Sequence, residues 1–191
     1  MTMRAHYTTY PHGHSGDIIF LNMQQLKEKL EVGEAMPIKG RVRIFGRDAV
    51  TGEIVADTGW KNNLVMLSST TGKGLILQRL IGVNTYSLNI TNLDIGTGTT
   101  PPAVTDTMLD AAVARADNPV ASIISNVASF QFFIADADLP NGTYTEVGTF
   151  VDGTDSVVDT GQIFNRALFG TGSEYVKTTG VNTTIQVDFT L

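Results

Sequence analysis

Glu146 and Arg166 are the residues of this sequence whose type and setting come closest to chemistry. Glu146 stands in Thr145-Glu146-Val147-Gly148-Thr149-Phe150, and Arg166 in Phe164-Asn165-Arg166-Ala167-Leu168-Phe169, both otherwise apolar or small. An acid and a base brought together from two strands can bind a ligand or move a proton. They can also form an ion pair that sets strand register, because a misregistered partner is left as an uncompensated charge. The sequence favours the structural use, since no nucleophile or metal-ligand cluster accompanies them.

The other reactive residues fall short one by one. The 3 His residues, His6, His12 and His14, all lie near the N-terminus. His12-Gly13-His14 suits a metal on a symmetry axis or, more simply, a polar turn. A Ser-His-acid hydrolase needs its base held within hydrogen-bond reach, and these His lie outside the expected folded core. Gly72-Lys73-Gly74 lacks the Ser or Thr after Lys73 and the Gly five places before Gly72 that a phosphate-cradling loop requires. Gly96-Thr97-Gly98 runs into Pro101-Pro102 rather than a helix N-terminus. The Asp and Glu residues show no calcium-loop spacing, and Asp152-Gly153-Thr154-Asp155 reads as a turn. The expectation is therefore a protein without catalytic residues, metal or cofactor.

Composition agrees. The formal charge is −6, which opposes general nucleic-acid binding. There is no Cys, hence no disulfide framework or thiol chemistry. No stretch is long and apolar enough to span a bilayer, and the N-terminal residues lack a signal peptide's apolar core. Abundant Gly and Thr with low charge suit a turn-rich sheet protein.

The elements that must position Glu146 and Arg166 read as strands. Arg41–Phe45 and Glu53–Ala56 flank the Asp48–Gly52 turn as a hairpin. Leu75–Ile81 reads as a short buried helix ended by Gly82. Ser87–Ile95 alternates until Asn92, where the break predicts a bulge. Asp106 is placed to cap one helical turn through Leu109 and Asp110. Ala121–Ser125 and Ser129–Ala135 are further strands, the second carrying Phe130, Phe132 and Ile134 on one face. Tyr144–Phe150 and Ile163–Phe169 come next. The final run places Ile185, Val187, Phe189 and Leu191 inward. The fold class expected is all-β: an antiparallel β-sandwich over 38–191, with one or two short helices.

Residues 1–37 have a different texture and read as an extended N-terminal arm. Ile18-Ile19-Phe20-Leu21 leads into a short amphipathic helix, capped by Asn22, with Met23, Leu26 and Leu30 on one face. So short a helix is unstable alone, so its apolar seam must dock on something. Tyr7, Tyr10, Ile18, Ile19, Phe20, Leu26 and Leu30 are the candidate partner-binding residues.

Three motif groups in order resemble a family of tailed-bacteriophage virion proteins. The first is Asn63-Leu64-Val65 before a Gly-containing helix. The second is Leu93-Asp94-Ile95-Gly96-Thr97-Gly98-Thr99-Thr100-Pro101-Pro102-Ala103 with Thr105–Leu109 and then Arg115. The third joins Thr145–Phe150, Phe164–Phe169, Lys177-Thr178 and an alternating last strand. The resemblance spans Gly59 to Leu191. It implies a virion part; the expectation is a homo-oligomer (a trimer is favoured) assembled in the host cytoplasm and contacting major capsid or tail proteins, while charge and hydropathy give no nucleic-acid or membrane partner. A capsid decoration or cement protein is the first expectation. A tail, collar, fibre or baseplate accessory protein is the alternative, and a receptor- or carbohydrate-binding module a third.

Overall fold

The computed structural model describes residues 38–191. The chain divides into Met1–Met36 and Pro37–Leu191, and the second of these is an all-β unit with one short helix. The candidate arm residues Tyr7, Tyr10, Ile18, Ile19, Phe20, Leu26 and Leu30, with the expected helix from Asn22, lie outside the described residues.

Strand β14 (Val181–Thr190) lies between β1 (Lys39–Asp48) and β9 (Val127–Ile134), antiparallel to both. Their alternating patterns are in phase: Val42, Val187 and Phe130 form one cross-strand row, and Ile44, Ile185 and Phe132 the next. Phase matters because a slip of one residue would turn every apolar side chain to the wrong face. Each fully buried side chain in these rows contributes about 1.5–3 kcal/mol of burial free energy. Beyond β9 lies β8 (Val120–Ile124), while β2 (Ile54–Asp57) joins β1 in the expected hairpin. In its turn the Asp48 carboxylate accepts from the Val50 and Thr51 amides at 2.9 and 2.7 Å.

A second group of strands runs β7 (Ala112–Asp117), β6 (Ile90–Gly96), β11 (Glu146–Val151) and β12 (Gln162–Leu168). Strand β3 (Lys61–Val65) connects the groups into one sheet. Its first three residues pair with β1 and its last two with β12. Switching strands of this kind make the corners of curled sheets. Both groups then share one core, to which Val42, Ile44 and Phe132 come from one side and Leu93, Ile95 and Val147 from the other. Two small ladders complete the set: β4 (Leu67–Ser68) with β5 (Thr71–Gly72), and β10 (Gly142–Tyr144) with β13 (Tyr175–Lys177).

The bulge expected near Asn92 is present: Phe150 pairs with Asn92 but Val151 with Ile90, so Thr91 is extra. A second bulge at Phe164 turns Ile163 away from the main core to pack with Phe150, Met66 and Leu109.

Several expectations need correction. Helix α1 (Lys73–Leu80) forms, yet only Gly74 and Leu75 are buried. Leu77, Leu80 and Ile81 are exposed, because a helix on the rim of a sheet has only one face to bury. Leu191 is 64 % exposed, since it lies past the last ladder pair and has no strand to hold it inward. No helical turn forms at Asp106–Asp110, whose polar groups bond elsewhere. The run read as one strand from Tyr144 breaks at Thr145, whose amide donates to Gly96 O and whose carbonyl accepts from the Phe169 amide. Ala112–Asp117 is a strand with little local signal: Ala, Arg and Asp carry low β propensity, and pairing with β6 decides it.

Candidate functional site

The second group of strands has two faces. One packs into the main core. The other carries a row of residues in register, Leu64, Arg166, Gly148, Asp94 and Arg115, running from β3 to β7. Glu146 lies on the same face, two residues along β11 from Gly148. Two loops, 97–111 and 152–161, bond to this face and bury its charges.

The structure brings Glu146 and Arg166 together. Arg166 Nε donates to Glu146 Oε2 at 3.0 Å, and Nη2 lies 2.8 Å from the same oxygen. Glu146 is fully buried and Arg166 nearly so. Every lone-pair direction of the carboxylate is used. Oε1 accepts from the Gly98 and Ala111 amides at 3.0 and 2.7 Å, and Oε2 also accepts from the Asp110 amide at 3.1 Å. Arg166 reaches on to the loop, donating to Thr100 O at 3.0 Å and to Asp106 Oδ2 at 2.7 Å. Burial opposes the charge of Arg166, but the bonds to Asp106 and Glu146 outweigh it and raise its pKa above the ordinary value. The pair therefore ties both ends and the middle of one loop to the sheet.

Glycine makes this possible. A Cβ on Gly98 would lie 2.3 Å from Glu146 Oε1 and 2.4 Å from the Asp110 Cβ. A Cβ on Gly148 would lie 2.7 Å from Leu109 Cδ1, so the Gly of Thr145–Phe150 is the seat for the last residue of Thr105–Leu109. Gly98→Ala is expected to cost about 1–3 kcal/mol by overpacking, read as a lower thermal midpoint. An unchanged midpoint would show that the loop is not held this closely.

Asp110 closes the loop on itself, accepting from the Thr100 hydroxyl at 2.8 Å and from the Thr99 and Thr100 amides at 3.3 Å each. The bonds from Thr100, with the smaller one from Thr99, hold the Asp110 carboxyl below its ordinary value of 3.8. A depressed folded-state pKa means stability that is fully present above the unfolded value and lost as pH falls through the folded one. In Asp110→Asn the fall in unfolding midpoint on acidification below about pH 4 should be shallower than in the parent. Equal acid limbs in the two proteins would remove Asp110 from this role.

The second charge pair was not singled out from sequence. Asp94 and Arg115 have side chains with no exposed surface. Arg115 Nε and Nη2 donate to Asp94 at 2.6 and 2.9 Å, a two-pronged pair. Its remaining donors go to Thr154 O at 3.0 Å, to the Thr160 hydroxyl at 2.6 Å and to Thr160 O at 3.0 Å. The guanidinium also lies 5.0 Å from the Phe150 ring centre. Asp94 accepts in addition from the Asp159 amide at 2.8 Å. Burial pushes the Asp94 carboxyl up, against the pull of Arg115 and the Asp159 amide. The same loop is held by Asp152, which accepts from the Ser87 amide and hydroxyl rather than closing its own turn. A signal did exist: Asp94 breaks an apolar run, as Glu146 does.

A third buried cation, Lys177, donates to Asp136 and to Thr178 O. Asp136 accepts too from the Gly180 amide at 2.9 Å, again fixing a turn. Asn165, buried on β12, accepts from the hydroxyl of Thr149, its directly opposed partner on β11. Among the described residues no three His, Asp or Glu side chains gather as a metal site.

A cavity of about 300 Å³ opens over the clamp, lined by Thr100, Asp106, Met108 and Arg166 among others. The carboxylate beneath it has no free lone pair for acid-base work, and most of the guanidinium's donors are taken. The arrangement can hold loops; it has little capacity left to act on a substrate. No family model matches the chain, and neither a curated protein nor a solved structure is significantly similar to it.

Proposed function

We propose that this chain is a non-enzymatic structural protein of a bacteriophage virion, a capsid decoration protein that docks through its N-terminal arm and oligomerises through its β unit. The observation that supports this reading is where the second and third resembling motif groups meet. Gly96–Ala103, Thr105–Leu109, Thr145–Phe150 and Phe164–Phe169 converge on the Glu146–Arg166 clamp, so what the resemblance captures is a device for holding surface loops rigid. Rigid loops on a curled sheet suit a block presented on a particle. Its arm would gain order on docking, so the net affinity would be reduced by the ordering entropy.

Imaging the intact particle by electron microscopy, with counting of copies, tests this. Hundreds of copies on the shell agree with decoration. A dozen or fewer at one vertex or along the tail would assign it to the tail, collar or baseplate. Absence from the particle would end the virion reading. Deleting residues 1–37 should abolish incorporation, and normal incorporation would refute docking by the arm.

A further inference from the structure

One edge of the large sheet is bare. Strand β8 ends that sheet, and among the described residues it pairs only with β9. All 5 of its residues are exposed, Val120, Ile123 and Ile124 by 75 %, 76 % and 76 %. A free strand edge is a row of unpaired amides and carbonyls, which proteins ordinarily guard with charge, proline or a bulge. Strand β7, at the opposite end of the sheet, is bound by the 152–161 loop through Arg115 and Asp117. Strand β2 is shorter and ends on Asp57. Strand β8 carries no charge and pairs with β9 without a bulge, and no charged residue occurs from Asn118 to Ala135.

We propose that β8 pairs antiparallel with β8 of a second copy, across a two-fold axis at Ser122, joining two sheets into one. This names the surface for the oligomerisation proposed above and rests on that part of the reading; whether the protein sits on a particle does not enter. The strand is complementary to itself. About Ser122, Val120 faces Ile124 of the second copy and Ala121 faces Ile123, so exposed apolar side chains meet on both faces of the joined sheet. The main chain agrees. The two-residue turn Ser125-Asn126 closes on the Ile124–Val127 pair. That turns the amides and carbonyls of Val120, Ser122 and Ile124 towards β9 and leaves those of Ala121 and Ile123 pointing outwards. In the proposed register Ala121 and Ile123 of opposite copies exchange both bonds. The register has two stops, because Pro119 has no amide to offer before the strand and the turn begins after it. Charge selects the same surface: two copies of a chain at −6 repel each other, and this span adds no like-charge contact. Ile123 also lines the apolar opening of the main core beside Phe130 and Phe189, and pairing sets Ala121 of the second copy next to it. A strand of 5 residues is about 17 Å long. Such a contact covers less than the roughly 1,200–2,000 Å² of a standard stable interface, so the pair is reversible at micromolar concentrations.

Sedimentation of the full-length protein at rising concentration tests the pairing. The parent should pass reversibly from monomer to dimer. Val120→Lys/Ile124→Lys, at exposed positions, should need at least tenfold more protein to do so, with an unchanged thermal midpoint. The chain has no cysteine, so single thiols report the register. Ser122 would meet its own copy in a non-hydrogen-bonded pair, with Cα atoms about 4.5 Å apart and within disulfide reach. Under oxidation Ser122→Cys should therefore cross-link at least tenfold faster than Ile124→Cys, whose two thiols lie on opposite sides of the axis. Equal cross-linking at the two positions would overturn the pairing. So would an oligomer, a trimer included, that the lysine variant leaves intact, since oligomerisation would then use another surface. A parent that stays monomeric would overturn the pairing together with the oligomerisation it rests on, and the particle count would still decide the virion part.

Discussion

Glu146→Gln is expected to lower stability by about 3–5 kcal/mol, the range for breaking a buried ion pair from one side. The substitution looks mild but reverses the hydrogen bonding. Both carboxylate oxygens face donors: the Gly98 and Ala111 amides at one, the Asp110 amide and Arg166 at the other. A Gln amide must turn its NH2 towards one of these sets, whichever way it is flipped. Arg166 would then keep Asp106 as its one carboxylate partner. The measurement is thermal unfolding, where this loss corresponds to a fall in midpoint of about 6–20 °C for a chain of this size. Hydrogen exchange should quicken across residues 97–111 and leave 152–161 near the parent rate. A midpoint within about 2 °C of the parent would sink the idea that the pair pins this loop.

Arg115→Lys carries the second large effect. Arg115 spends five donors on a carboxylate, two backbone carbonyls and a hydroxyl, all from a buried position. Lysine keeps the charge but concentrates it at one atom, and cannot reach Asp94 and the 154–160 loop together. At least one buried acceptor is left without a donor, at about 1–3 kcal/mol each. An ammonium has three donors for these five bonds, so the expected total is about 2–6 kcal/mol, with Asp94 only partly compensated. Here hydrogen exchange should quicken over 152–161 and spare 97–111, the mirror of the Glu146 result. If each variant loosens both loops alike, the face behaves as one network rather than two clamps. Coupling of that kind has a physical route, because Asp94 and Arg166 flank Gly148 in one row, and a double substitution would then show non-additive loss.

Much of this fold was legible in the order of residues. The period-two pattern of 181–190 placed Ile185, Val187 and Phe189 inward, because side chains alternate along any strand and one face must leave water. The hairpin about Asp48–Gly52 and the bulge beside Asn92 were likewise local, written in turn chemistry and broken alternation. So was the oddity of Glu146 and Arg166: charges among apolar neighbours need partners wherever the chain puts them. What the sequence alone could not decide was who those partners are. Glu146 is matched to amides 35 to 48 residues away, and nothing in local spacing encodes that distance. Asp94 and Arg115 stayed hidden for the same reason, since Ala112–Asp117 becomes a strand only when β6 supplies its ladder. The single helical turn expected at Asp106 failed because Arg166 and the Ala103 amide compete successfully for its carboxylate. Local propensity is worth tenths of a kcal/mol to about one per residue, whereas satisfying a buried charge is worth several. The sequence determined that this is a sheet protein with charges to bury; tertiary structure decided that they are spent on holding two loops.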